Sequence, residues 1–309
     1  MIPDQARRDN STRDQDHMPG GGSLTGARSG PTVQRIALGA QLRRLREASG
    51  LTTGQAAEVI RATHSKVSRL ERGRSTPRPR DVSDLLSLYG VTDEAEREKI
   101  LVLAQQARAP GWWQRYSDIL PKWLELYIGL EKAASVIRAY EVQFIHGLMQ
   151  TEDYARAVIV IGNADAQAEE IDRRVSLRMR RQQLLTQPDA PGLWAVLDEA
   201  ALRRSPDGPG VMRAQLAHLL ELTDLPNVTL QIVPFIAGPH AAAGGPVTIL
   251  RFPEPDLPDV VFLEQLHSAL YVDEPDEVAK YLTVMDLLCV QAATNSASKD
   301  MLSALLKQA

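Results

Sequence analysis

The stretch Thr63-His64-Ser65-Lys66-Val67-Ser68-Arg69-Leu70-Glu71-Arg72-Gly73 carries the densest chemistry in this chain. A threonine hydroxyl at one end can accept a hydrogen bond from a first-turn amide. A glycine at the other can take the left-handed backbone that stops a helix, so the spacing predicts a helix over about 64–72. Val67 and Leu70 fall on one face, which leaves His64, Ser65, Lys66, Ser68, Arg69 and Arg72 on the remaining arc. One face packs, and the other presents hydroxyl, imidazole, ammonium and guanidinium groups, the donors that bond to base edges in a DNA major groove.

Such a helix needs a scaffold, and the flanking sequence supplies one. Leu38, Leu42 and Leu45 mark an amphipathic helix that Gly50 ends. A second short helix is expected over about 54–60, capped by Thr53 and packed through Ala56, Ala57 and Ile60, whose small members permit a close crossing. Val82, Leu85, Leu86 and Tyr89 stripe a fourth helix over 81–89, and a fifth over about 94–107 follows Asp93. Five helices in about 75 residues can close one small core. From Thr32 to Arg80, eleven Lys and Arg face only Glu47, Glu58 and Glu71, a net +8 in a chain whose total is −4. That partition is the footprint expected for a polyanion partner. A bundle whose arginines merely solvate its surface leaves the partition unexplained.

The block resembles the XRE (Cro/repressor-type) helix-turn-helix family in Leu42-Arg43-Arg44-Leu45-Arg46-Glu47, Gly50-Leu51-Thr52, Ala56-Ala57-Glu58 and Val67-Ser68-Arg69-Leu70-Glu71-Arg72-Gly73. The resemblance implies that Thr53 caps the second helix near a phosphate and that His64, Ser65 and Arg69 are the main base-edge contacts. Lys66 and Ser68 are secondary, and Thr63, Arg72, Arg74 and Arg78 complete the expected DNA-contacting set, Arg74 and Arg78 on phosphates. It also pairs Arg46 with Glu71 as a structural ion pair. One position departs from the pattern: the tight turn before the groove helix usually carries glycine, and here it is Arg61. A non-glycine residue in the left-handed region costs roughly 1 to 2 kcal/mol, so the turn is expected either to be shaped differently or to carry mild strain.

At 309 residues, 44% hydrophobic and 24% charged, the chain suits two soluble globular domains. Its apolar runs, such as 157–161 and 260–263, fall far short of the roughly 20 residues that a membrane helix needs. The polar N-terminus is no secretory signal, and a single cysteine, Cys289, permits no internal disulfide, so a reducing cytoplasm is expected. Residues 1–31 mix Arg7, Arg8 and Arg13 with Asp4, Asp9, Asp14 and Asp16 around a Gly-rich run, and are expected to be a disordered tail.

Residues 32–108 therefore form the expected helix-turn-helix domain. Beyond Pro110-Gly111 the balance turns acidic, −9 against +5 for residues 1–110. Helices are expected over about 122–133, 152–161 behind Thr151, 168–186, 211–223 and 275–292. Strands are expected over 136–142, 194–197, 228–233, 247–252, 260–266 and 269–272. Strands that arrive mostly in succession late in the chain point to an α+β domain over 111–293 with a largely antiparallel sheet, followed by a tail or helix over 294–309. The whole is thus mainly α, with an N-terminal five-helix bundle. This half resembles the partner domain of an actinobacterial group of XRE-type regulators, the WhiJ-like proteins. The residues that carry the resemblance include Gly111-Trp112-Trp113, Leu130-Glu131-Lys132-Ala133, Gly147-Leu148-Met149-Gln150-Thr151-Glu152-Asp153-Tyr154, Arg178-Met179-Arg180-Arg181-Gln182 and Leu197-Asp198-Glu199-Ala200-Ala201-Leu202. His146 stands where that group usually has proline. The resemblance implies a transcriptional regulator that works beside a small acidic partner protein in antitoxin-like or developmental switches.

Catalytic signatures are missing. Asp198 and Glu199 are adjacent, and in a strand they point to opposite faces. Glu264 and His267 sit at a strand end, where edge solvation is the commoner role. His146, His218, His240 and His267 show no metal-ligand spacing, and no G-x-S-x-G turn or P-loop lysine occurs. The glycines around 238–246 lack the following helix of a phosphate cradle. Trp112, Trp113, Trp123 and Trp194 suit core packing or a small-molecule pocket. Arg178, Arg180 and Arg181 suit pairing with nearby glutamates or an acidic partner. The expectation is a non-enzymatic regulator of transcription without cofactor or metal, bound to double-stranded DNA as a homodimer, with a C-terminal domain that senses a small-molecule effector or a partner protein. The competing readings are a protein-interaction switch with secondary DNA contact and, less favoured, a DNA-tethered enzyme.

Overall fold

Capping and apolar spacing place the N-terminal helices. The computed structural model describes residues 31–253 and 257–309, so the expected disordered tail lies outside the described residues except for Pro31. The helices are α1 (Pro31–Ala48), α2 (Thr53–Val59), α3 (His64–Glu71), α4 (Pro79–Leu88) and α5 (Glu94–Gln106). They enclose a core of Leu38, Leu42, Ala57, Val67, Leu85, Leu86 and Ile100. α1 and α3 cross closely because Gly39 has no side chain: a Cβ there would overlap the Glu71 carbonyl oxygen.

The second half continues with α6 (Lys122–Ala133), β1 (Val136–Glu141), α7 (Glu152–Gly162), α8 (Ala168–Gln182), β2 (Gly192–Asp198), α9 (Glu199–Arg203), α10 (Gly208–Leu222) and β3 (Val228–Val233). Then follow β4 (Val247–Arg251), β5 (Val260–Glu264), β6 (Ala269–Val272), α11 (Pro275–Gln291) and α12 (Asn295–Gln308). The six strands form one sheet in the order β3-β2-β1-β4-β5-β6. Three of its ladders are antiparallel, β1–β4, β4–β5 and β5–β6, and the β1–β2 and β2–β3 ladders are parallel. The reason is the connections: helices intervene between β1 and β2 and between β2 and β3, as a parallel crossover requires, whereas β4 to β6 are joined by loops.

Strand alternation divides the apolar residues between two cores. Ile137, Leu193, Leu230, Leu250 and Phe262 face α6, α10 and α12, and Val196, Ile249 and Val261 face α11 through Met285 and Leu288. The end of the chain is a helix, not a tail. Thr294 caps α12 by accepting from the Ala297 amide at 3.2 Å. The buried Ser298 hydroxyl accepts from the Ile232 amide at 3.1 Å, which satisfies the outer edge of β3.

The two halves share α1. Its Leu38 and Leu42 belong to the N-terminal core, while Val33 is buried in the C-terminal core with Ile36 and Ala37 packed against it. Gly129 of α6 seats on Thr32, where any Cβ would overlap the threonine side chain. Through this shared helix the first turns of α1 complete the largest core of the C-terminal half.

Candidate nucleic-acid interface

The turn into α2 is closed by a capping box: the Gln55 amide donates to Thr52 Oγ1 at 3.3 Å, and the Thr52 amide donates to Gln55 Oε1 at 2.9 Å. The N-cap is therefore Thr52, and the expected cap, Thr53, is the first residue of the helix, half-buried. The Thr52-x-x-Gln55 spacing is itself the sequence signature of that box, and it outcompetes Thr53 because two reciprocal bonds form at Thr52.

Between α2 and α3 the chain reverses at Arg61, at φ +50° the one non-glycine residue with positive φ among the described residues. Of the two expected outcomes, a reshaped turn or a mildly strained left-handed one, the second is found. Thr63 then caps α3, its Oγ1 accepting from the Lys66 amide at 3.3 Å, and Gly73 at φ +65° ends the element. Val67 and Leu70 are buried. On the outer side Thr63, His64, Ser65, Arg69 and Arg72 are exposed and Ser68 is half-buried. Ser65, Ser68, Arg69 and Arg72 follow i, i+3, i+4, i+7 spacing, so they share one stripe.

Three further members of the expected set have separate placements. Lys66 turns inward toward α4, its Nζ 2.6 Å from Asp81 Oδ2. Arg78 is the N-cap residue of α4 and is exposed. Arg74 faces the C-terminal sheet, donating to the Tyr271 carbonyl at 3.0 Å and to Asp273 Oδ2 at 3.3 Å, with its guanidinium 5.9 Å from the Tyr271 ring.

Behind α3, Arg46 of α1 grips Glu71 with two bonds, 2.6 Å from Nε and 3.0 Å from Nη2, and also donates to the Leu51 carbonyl at 2.8 Å. The hydrogen bond to Glu71 holds the Arg46 pKa above its ordinary value, ahead of the opposing effect of burial. A bidentate pair of this kind fixes the roll of α3 on α1, and hence which side chains point outward.

Several of the C-terminal candidates are engaged in hydrogen bonds and ion pairs within the domain. Asp198 caps α9 through the Ala200 amide at 2.8 Å, and the Glu199 carboxylate accepts from the Phe235 amide at 2.8 Å and from Arg203 Nε at 2.7 Å. Arg181 makes a bidentate pair with buried Glu131 at 2.7 and 2.9 Å, Arg178 donates to Gln150 at 2.8 Å, and Arg180 lies 4.6 Å over the Trp112 ring. Buried His146 keeps its loop ordered without a proline: its Nδ1 accepts from the Leu148 amide at 3.4 Å, while Gln182 donates to the Gly147 and Gln150 carbonyls. Burial pushes the His146 pKa down to about 4. Sequence reasoning missed the contact of Tyr140 Oη with His240 Nε2 at 2.8 Å, beside Asp198 at 3.5 Å. Those residues are 58 and 100 positions apart, and no local motif joins them.

The family model described as a domain of unknown function (DUF5753) matches residues 124–304, more than half of the chain. The chain belongs to the DUF5753 family. A second model, described as a helix-turn-helix domain, matches residues 37–100. No curated protein and no solved structure matches the chain. The helix-turn-helix match takes in most of α1 and all of α2 to α4, and it points to a DNA-binding regulator, while the DUF5753 match carries no activity in its description. The DUF5753 match runs from within α6 to within α12. Val33 and Ile36, which plug α1 into the C-terminal core, precede both matched ranges, whereas the Arg74 contacts to Tyr271 and Asp273 join the two ranges directly. Among the described residues no helix is long and apolar enough to cross a membrane.

Proposed function

We propose that this DUF5753 protein is a cytoplasmic, sequence-specific transcription regulator of the XRE type, close to the WhiJ-like group, that places α3 in the DNA major groove. His64, Ser65 and Arg69 are its base-edge contacts and Ser68 a secondary one. Thr53, Thr63, Arg72 and Arg78 are the positions beside phosphates. Lys66 and Arg74 reach DNA only by giving up Asp81 and Asp273. The observation that carries the reading is the outward stripe of α3: its donors are exposed on a helix whose opposite side is locked by Val67, Leu70 and the Arg46–Glu71 pair. The excess of eleven Lys and Arg over three Glu between Thr32 and Arg80 supplies the phosphate attraction. A homodimer on two half-sites follows from the way such motifs pair on DNA, and the C-terminal domain senses a small effector or a small acidic partner protein.

Selection of duplexes from a random library with the full-length protein tests this reading. Enrichment of one motif, arranged as paired half-sites, supports it; recovery of unenriched sequence contradicts it. A protein-interaction switch is favoured by bare apolar side chains on the C-terminal half, Ile236 at 94%, Leu266 at 89% and Val290 at 83% exposed. It predicts that Ile236→Asp or Val290→Asp abolishes capture of a small acidic protein from the native host while DNA binding persists.

A further inference from the structure

A cleft of about 340 Å³ lies where the helix-turn-helix bundle meets the C-terminal sheet. Its apolar surface comes from both halves: Ile36 and Ala40 of α1, Leu126 and Leu130 of α6, Val260 of β5 and Tyr271 of β6. Small-molecule sites favour domain boundaries, volumes from about 300 Å³ and mostly apolar linings with a few placed polar groups. This cleft has the first two properties, and its apolar floor is ringed by charged side chains.

The polar groups decide what fits. Arg43, Arg44, Arg72 and Arg74 stand on its rim, and so do Glu47, Glu71, Asp273 and Glu274. Three of those acids are already engaged, Glu47 by Arg43, Glu71 by Arg46 and Asp273 by Arg74. Arg72 is exposed and makes no ion pair among the described residues. Gly73, at φ +65°, lies between the two arginines and seats directly on Ile36, so Arg72 and Arg74 flank the apolar floor. The amides of Arg72, Gly73 and Arg74 cap the Ser68, Leu70 and Arg69 carbonyls at 3.1, 3.0 and 2.7 Å, so the cation at Arg72 stands at the negative end of α3, where it is favoured. Glu274, at the mouth, disfavours a doubly charged ligand.

We infer that the cleft is a binding site for a small monoanion with an apolar body, such as a medium-chain carboxylate, its head group on Arg72, with Arg74, already held by Asp273 and the Tyr271 carbonyl, as a neighbouring charge, and its tail between α1, α6 and β5. This deepens the effector-sensing part of the regulator reading by naming the site and the ligand class. A ligand there touches the two residues that follow the groove helix and the β6 strand that holds Arg74. Its occupancy therefore bears on how the DNA-binding bundle is fastened to the DUF5753 domain.

The experiment uses the full-length protein without DNA. Octanoate is titrated by calorimetry and by methyl NMR of Ile36, Leu126, Leu130 and Val260, with 1-octanol and inorganic phosphate as comparison probes. The expected result is one saturable octanoate site with shifts at those methyls. Octanol and phosphate should each bind at least about tenfold more weakly, because each lacks one half of the recognised chemistry. Arg72→Gln should weaken octanoate at least about fivefold, and Ala40→Phe, which fills the floor, should abolish it. Equal binding of octanol or phosphate, shifts elsewhere only, or octanoate affinity unchanged by both variants overturns the inference. Binding of octanoate by a protein that ignores DNA would sink the regulator reading and leave this site standing; the reverse result would do the opposite.

Discussion

Removing the Glu71 carboxylate tests how firmly the groove helix is held. In Glu71→Ala the Arg46 guanidinium, whose side chain is only 11% exposed, loses its bonds at 2.6 and 3.0 Å. It keeps the Leu51 carbonyl at 2.8 Å and a longer contact of 3.5 Å to Glu47. Breaking one partner of a buried ion pair typically costs about 3 to 5 kcal/mol, since the other charge is left stranded. The surviving acceptors put this case at the low end, about 3 kcal/mol, or about a 160-fold shift of the folding equilibrium. The double variant Arg46→Met with Glu71→Leu strands no charge and fills similar volume, so it should lie within about 1 kcal/mol of the unmodified protein. Urea unfolding measures both, followed together by circular dichroism at 222 nm and by tryptophan fluorescence. All four tryptophans lie at residue 112 or beyond, so fluorescence follows the C-terminal half while dichroism follows both. The two signals should move together, because α1 is buried in both cores. A loss below about 1 kcal/mol in Glu71→Ala, or a double variant as unstable as the single one, would refute the argument.

Other outcomes follow from the same geometry. Arg61→Gly relieves the left-handed strain of roughly 1 to 2 kcal/mol and gives part of it back as unfolded-state entropy, so a net gain of about 0.5 to 1 kcal/mol is expected; a loss of stability in the same urea assay would contradict it. The native fold keeps His146 neutral down to about pH 4, whereas the unfolded chain takes up that proton near pH 6.5, so its contribution is intact above pH 6.5 and is lost as pH falls toward 4. His146→Asn should flatten that part of the thermal stability profile, and an unchanged slope between pH 6.5 and 4 would count against it. Asp273→Asn weakens the hold on Arg74 between two partly exposed groups, so it should cost under about 1 kcal/mol of stability and strengthen binding to random duplex DNA at low salt. Unchanged or weaker DNA binding would mean that Arg74 does not reach a phosphate.

Legibility varied with the range of the interaction that decides each feature. α3 was legible because its signals are local: a capping threonine, two apolar residues three apart and a closing glycine. The left-handed Arg61 was equally local. The Arg46–Glu71 pair, 25 residues apart, came from resemblance, since no periodicity links the two positions. Thr53 was misplaced by one residue because two adjacent threonines compete for the cap and only the bonds to Gln55 separate them. The parallel β1–β2–β3 half of the sheet was not legible, because pairing direction depends on which strands meet across helical connections. The same holds for the rim of the interdomain cleft, where Arg74 meets Tyr271 and Asp273 from nearly 200 positions away. Charge counting identified those arginines as a cationic surface but carried no information on which of them the C-terminal domain faces.

The most direct measurement is the affinity of the full-length protein and of Arg69→Ala for a selected duplex and a scrambled duplex of equal length, at one fixed salt concentration. An arginine on a guanine edge is worth about 1 to 3 kcal/mol at one base pair. Arg69→Ala should therefore lose about 5- to 160-fold on the selected duplex and far less on the scrambled one. Equal losses on both, or no binding to either duplex in dilute buffer, would contradict the placement of α3 as the DNA-reading element.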